Sequence, residues 1–214
     1  MTYWPPHHID FVETRHQPIS EPGLIYELTS ILERVDLGHM FPKVQPLEVE
    51  LGSGDGSFLV AYASHHPERN FIGVERLLGR LRKLDRKGRQ AGLTNLRGLR
   101  IESSYFLRYL LPAHSASALH IYFPDPWPKR KHRRHRLINE AFVSLAHASL
   151  KPGGTVFLRT DDADYFCQMQ CAFDSSTGFL RTEAPRDLTK LATDFEKEFN
   201  ARGIKTLGAA YQAR

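Results

Sequence analysis

The chain has 214 residues, a formal net charge of +5, and 41% hydrophobic against 25% charged residues. That balance is ordinary for a globular protein and excludes disordered and collagen-like classes. A chain of this length forms one domain that buries roughly 70–75% of the surface exposed on unfolding. No window approaches 18 apolar residues, and the opening "MTYWPPHHID" lacks the basic-then-apolar form of a signal peptide. A cytoplasmic protein without a membrane segment is expected. Cys167 and Cys171, four apart, match no zinc spacing and make a poor structural disulfide, so both are expected as free thiols.

Residues 1–20, rich in Pro, His and aromatics, read as an irregular arm, and residues 21–214 as a single domain. Glu21-Pro22 opens a helical pattern with Leu24, Leu28, Ile31, Leu32 and Val35 on one face. Short apolar runs then alternate with helical segments. Strands are expected at Leu47–Leu51, Asn70–Glu75, Gly98–Glu102, Ala118–Phe123 and Thr155–Arg159, with Gly178–Thr182 and Ile204–Gln212 as the last two. Helices are expected at Phe58–His65, Leu77–Ala91, Ser104–Leu111, His135–Leu150 and Ala163–Ser176. Such alternation predicts a doubly wound α/β domain, a mostly parallel seven-stranded sheet with helices on both faces.

"LEVELGSGDGSFLV" sets Gly52, Gly54 and Gly56 directly after the first strand and before a helix, where a ligand can approach the backbone closely. The same string also fits a plain tight turn. Glu75 closes the second strand, where a carboxylate can accept both ribose hydroxyls. That contact serves a dinucleotide or S-adenosylmethionine (SAM) equally. Glu50, beside the loop, would repel a pyrophosphate and attract the sulfonium and ammonium of SAM; at about 4 Å and an effective dielectric near 20 the Coulomb term is of order 4 kcal/mol before desolvation. Glu102, read as the end of the third strand, is expected at the adenine end.

"IYFPDPWPKRKHRRHR" leaves the fourth strand at the carboxyl edge of the sheet, where open α/β sheets bind ligands. Two prolines fix Asp125, which reads as facing the cofactor's reactive methyl or as an Asx-turn residue. Trp127 reads as a core anchor or as a platform for a stacked base, worth roughly 1–3 kcal/mol. Eight basic or imidazole side chains follow in succession, Lys129 to Arg136. Arg130, Arg133, Arg134 and Arg136 are candidate RNA-backbone contacts. A second run places nine cations between Arg76 and Arg100 against one acid, Asp85, with Leu77, Leu81 and Leu84 on the buried side of its helix. Two basic patches point to an extended, phosphate-rich partner. So cationic a neighbourhood opposes a metal at His132 and His135, and no metal is expected. No feature calls for an obligate protein partner.

At "ELGSGDG", "IGVER", "FPDPWPKRKHRRHR", "RTDDADY" and "TDFE", in that order, the sequence resembles the bacterial tRNA (guanine-N7-)-methyltransferase family, over nearly the whole chain. The resemblance implies a class I SAM-dependent, Rossmann-like methyltransferase acting on N7 of a guanine in the tRNA variable loop, at nucleotide 46. It implies cofactor contacts at Glu50, Glu75, Glu102 and Asp125, with Asp125 also catalytic. Glu102 stands where the family usually has aspartate. Lys129, Asp161 and Thr193, Asp194, Phe195 and Glu196 are implied as substrate contacts. Asp161 also reads as a helix cap, for which Asp162 is the better candidate, and Thr193–Glu196 reads locally as helix capping. The alternatives are a same-fold methyltransferase of another RNA and a non-catalytic SAM- or RNA-binding protein.

Overall fold

Strand β1 (Leu47–Leu51) is buried along its whole length, and so is β2 (Asn70–Val74), which is how interior strands of a parallel sheet read in sequence. The computed structural model describes residues 23–214, so the arm proposed for residues 1–20 lies outside the described residues. With β3 (Leu96–Leu99), β4 (Ala116–Tyr122), β5 (Leu150–Thr160), β6 (Phe179–Thr182) and β7 (Leu207–Ala213) these strands form one seven-stranded sheet in the order β3-β2-β1-β4-β5-β7-β6. β1, β2, β3, β4 and β5 are parallel, while β7 runs antiparallel to both β5 and β6. The strand order reverses between β1 and β4, so a crevice opens outside their carboxyl ends. The glycine loop leaves one of these strands and the Pro-Asp-Pro turn leaves the other.

Each strand contributes alternate side chains to two apolar layers. On one face Val49, Ile72, Leu119, Ile121 and Leu158 pack with Phe106, Phe142, Met169 and Phe173. On the other, Phe71, Leu96, Ala118, Tyr122 and Phe157 meet Phe58, Leu59 and Leu84. The helices are α1 (Leu37–Met40), α2 (Ser57–His65), α3 (Leu78–Gln90), α4 (Ser103–Tyr105) running into a π turn at Phe106–Leu110, α5 (Glu140–Ser149), α6 (Ala163–Asp174), α7 (Arg186–Lys190) and α8 (Asp194–Ala201). Both cysteines are free and exposed on α6, as expected. Among the described residues no helix is long and apolar enough to cross a membrane.

Four local expectations are corrected. Residues 23–36 form no helix: Leu24 and Val35 are buried, but Ile31 and Leu32 are exposed. The backbone instead pairs with the open edge of β3, with Gly98 N–H donating to Leu24 O at 2.8 Å and Tyr26 N–H donating to Gly98 O at 2.9 Å. Asp85 also accepts from Leu24 N–H at 2.6 Å. An uncovered strand edge outbids local helical periodicity because its polar groups need partners. β3 begins and ends earlier than expected, leaving Glu102 beyond it. Arg130–His135 is a 3-10 turn, and α5 starts only at Glu140, where Asn139 Oδ1 caps Phe142 N–H at 3.0 Å. Leu77 precedes α3 and is exposed rather than buried.

Candidate active site

The glycine loop is held by main-chain bonds: the Gly52 and Ser53 N–H groups both donate to Val74 O, at 2.9 and 3.0 Å. Gly52 and Gly54 have φ of +83° and +56°, and open space lies where their Cβ atoms would project. Gly56 also needs positive φ, but a Cβ there would lie 2.7 Å from Leu84 Cβ. Its smallness serves the contact with α3, and the surface open to a ligand belongs to Gly52 and Gly54.

Two carboxylates lie beneath the loop. Glu75 is buried; one oxygen accepts from Gly54 N–H at 3.1 Å and the other from Leu77 N–H at 2.8 Å. Glu50 is 4% exposed, and its Oε2 has no hydrogen-bond partner among the described residues. Burial pushes its carboxyl up to about 8; Arg159 opposes this, while Asp55 and Glu75 add to it. The Ser53 hydroxyl is also buried without a partner among the described residues. Asp55, by contrast, is ion-paired to Lys87 at 2.7 Å and bonded to Ser57. Those bonds overcome partial burial and hold it down at about 2. Lys87 is thus engaged with the loop and does not belong to the exposed basic face of α3. An orphaned buried carboxylate, an orphaned hydroxyl and an open glycine surface fit a ligand that brings positive charge and hydrogen-bond donors.

The Pro-Asp-Pro turn is strained. Phe123 and Trp127 both have positive φ, 49° and 43°, which costs of order 1–3 kcal/mol for each bulky residue. The turn is gripped from both sides. Phe123 N–H donates to Arg159 O at 2.8 Å, and Arg136 Nε donates to Pro126 O at 2.7 Å. Arg136 is 3% exposed, pairs with Asp164 at 2.6 Å, bonds Gln168 at 2.8 Å and lies over the Tyr165 ring. The RNA-backbone contact expected of Arg136 is therefore corrected: its guanidinium is used up inside the protein. Asp125, between the gripped ends, is exposed and makes no hydrogen bond or ion pair with a described residue. An Asx-turn bond is absent among the described residues. Trp127 is 37% exposed, with the His132 and His135 rings 5.9 and 5.3 Å away, so it is no core anchor. Lys129, Arg130 and Arg134 are exposed, while Arg133 is bridged to Asp164 at 3.0 Å.

The remaining sites divide. Glu102 is not a strand end: it caps α4, its two oxygens accepting from Ser104 N–H at 2.9 Å and Tyr105 N–H at 2.7 Å. Asp162 caps α6 through Tyr165 N–H at 2.7 Å, leaving half-buried Asp161 without a cap bond at the end of β5. Thr193 and Glu196 form a reciprocal capping box on α8, as the local reading had it. Asp194 turns toward the glycine loop, its carboxyl lowered first by the Ser57 hydroxyl and then by Lys197. Phe195 lies in the same first turn of α8.

Sequence reasoning passed over Arg159, which is 8% exposed and donates to Leu188 O at 2.5 Å, Leu191 O at 2.9 Å and Glu196 Oε2 at 2.9 Å. It also missed a buried chain in which His120 bonds Glu48 at 2.7 Å and Tyr122 at 2.8 Å, with Arg69 on Glu48 at 2.8 Å. The visible signal for both was a charged residue inside an apolar strand.

A family model described as "Putative methyltransferase" matches residues 44–209. The chain is 36% identical to a tRNA (guanine-N(7)-)-methyltransferase of Nitrosomonas eutropha, over 80% of this chain and 76% of that protein. It is 34% identical to a protein of the same description from Halorhodospira halophila, over 84% and 80% respectively. Among solved structures, a 30S ribosomal A1408 methyltransferase from an uncultured bacterium superposes with a TM-score of 0.58 at 20% identity, over 85% of this chain and 96% of that one. TrmN from Thermus thermophilus gives 0.57 at 17% identity, over 80% and 45%. The two structural likenesses establish the fold.

Proposed function

The chain belongs to the tRNA (guanine-N7-)-methyltransferase family, and from that membership we infer that it transfers a methyl group from SAM to N7 of guanine in tRNA, at nucleotide 46 of the variable loop. One observation carries the reading: of two neighbouring strands, β1 carries near its end a buried carboxylate with an oxygen unpartnered among the described residues, and β4 leads into an exposed Asp125, without a described partner, that opens a run of cations.

Glu50, Ser53 and the open faces of Gly52 and Gly54 would hold SAM, with Glu75 and Glu102 toward its ribose and adenine. When bound, SAM supplies an electrophilic methyl group. Guanine N7 presents an in-plane lone pair, so no proton need be removed before attack. Asp125 therefore serves as an acceptor for the base and as fixed negative charge where positive charge develops, and not as an obligatory base. Its strained, doubly gripped turn sets it in place before the substrate arrives, and such positioning can supply roughly 7–11 kcal/mol of barrier reduction. Lys129, Arg130 and Arg134 offer charge to the tRNA backbone, while Asp161 and Asp194 flank the space for the base. The setting is the cytoplasm, where tRNA is found.

The test is transfer of labelled methyl from SAM to bulk tRNA, with nuclease mapping of the labelled base. Label at N7 of one guanine is expected. Asp125→Ala should abolish transfer while SAM binding, followed by calorimetry, survives. Label on another RNA or base, or full turnover by the variant, would sink the assignment.

A further inference from the structure

Arg159 joins the two halves of the site. It stands near the carboxyl end of β5, paired across the sheet with Tyr122 of β4. Its carbonyl accepts from Phe123 N–H, the first residue of the strained turn. Its guanidinium lies over the Tyr122 ring at 4.7 Å and reaches the segment between β6 and β7 at three points: the carbonyls that end α7 and the Glu196 carboxylate of the α8 capping box. α8 in turn places Asp194 beside Ser57, the first residue of α2, and packs Phe199 against Phe123 at 5.6 Å. On the other side its charge opposes the upward push that burial gives the Glu50 carboxyl.

We propose that Arg159 is a positioning residue: its planar fork docks residues 186–201 against the end of β5, beside the strained turn, so that the tRNA meets the substrate side of the site already in place. The proposal rests on the function inferred above only for the identity of the substrate. A fork that reaches two carbonyls and a carboxylate at once is a task for guanidinium; an ammonium supplies the charge without the geometry.

Two variants test it. Arg159→Lys retains charge and loses the fork: the KM for tRNA should rise about tenfold, from one or two lost hydrogen bonds, while the KM for SAM stays within about twofold of wild type. Arg159→Met loses charge and fork together, and its KM for tRNA should rise at least as far. In both variants amides of residues 186–201 should exchange with deuterium faster than in wild type, while those of β1 and β4 stay protected. Exchange is read without any methyl transfer, so it judges Arg159 even if tRNA proves not to be the substrate. Should Arg159→Met fail to fold, the lysine variant decides alone. Wild-type exchange at 186–201 in the lysine variant, or a wild-type KM for tRNA, would overturn the assignment.

Discussion

Glu50 is held against its own preference. Its carboxyl ionises in the unfolded chain near 4.5 and in the ligand-free fold at about 8. A raised native value means the native state keeps a proton that the unfolded state releases. Stability is therefore fully present below pH 4.5, falls as the pH rises toward 8, and levels off above it. The loss is on the order of 5 kcal/mol. Glu50→Gln removes this cost, so in denaturant titrations the variant should match wild type at pH 4.5 and unfold at higher denaturant at pH 8, while binding SAM much more weakly. A variant less stable than wild type at pH 8 would show that Glu50 contributes structure and not a ligand site. The positions of Glu50, Glu75 and Asp125 at or just past strand ends were legible because composition alone marks out the strands. The sequence did not disclose the duties of Arg136 and Arg159, whose partners Asp164 and Glu196 lie on other elements and are joined only by the fold. An arginine in a basic run looks like its neighbours until one knows which of them faces inward.

At the scale of elements, the three glycines of one loop serve two purposes, and substitution separates them. Gly54→Ala meets no atom, so its cost is that of a left-handed φ, about 1 kcal/mol, with the larger effect on SAM affinity. Gly56→Ala drives a methyl into Leu84, backbone included, and should destabilise by about 2–4 kcal/mol. Thermal melting and SAM calorimetry on the pair should thus rank them in opposite orders. The strands and most helices were legible because parallel strands are continuous apolar runs and the caps carry Asp162, Asn139 and Thr193. Residues 23–36 were misread because their partner is the edge of β3, far along the chain, and periodicity records only local neighbours. Glu102 was misread with β3, whose end the sequence left open between Leu99 and the cap.

For the whole molecule, the charge of +5 matters through its placement. Arg130 and Arg134 project from the turn beside Asp125, and Arg80 and Lys83 from α3, whereas Arg136 and Lys87 are committed internally. Replacing Arg130 and Arg134 by alanine should lower the slope of log affinity for tRNA against log salt by about 1.5, since each phosphate contact contributes about 0.7–0.9. Arg136→Ala should leave that slope unchanged and reduce turnover instead, through the loosened turn. A wild-type slope in the double variant would remove the turn from the RNA-binding surface.

β7 enters the sheet between β5 and β6, although it is the last of the strands to leave the ribosome. A nascent chain stopped before residue 207 would have β6 with no neighbour to zip onto and β5 bare along its flank. α7 and α8, which follow β6 in sequence, would end in a free chain beside a half-built platform. Synthesis order thus delays the substrate side of the crevice until the final strand arrives, so an incomplete copy carries the glycine loop without the means to finish the site around it.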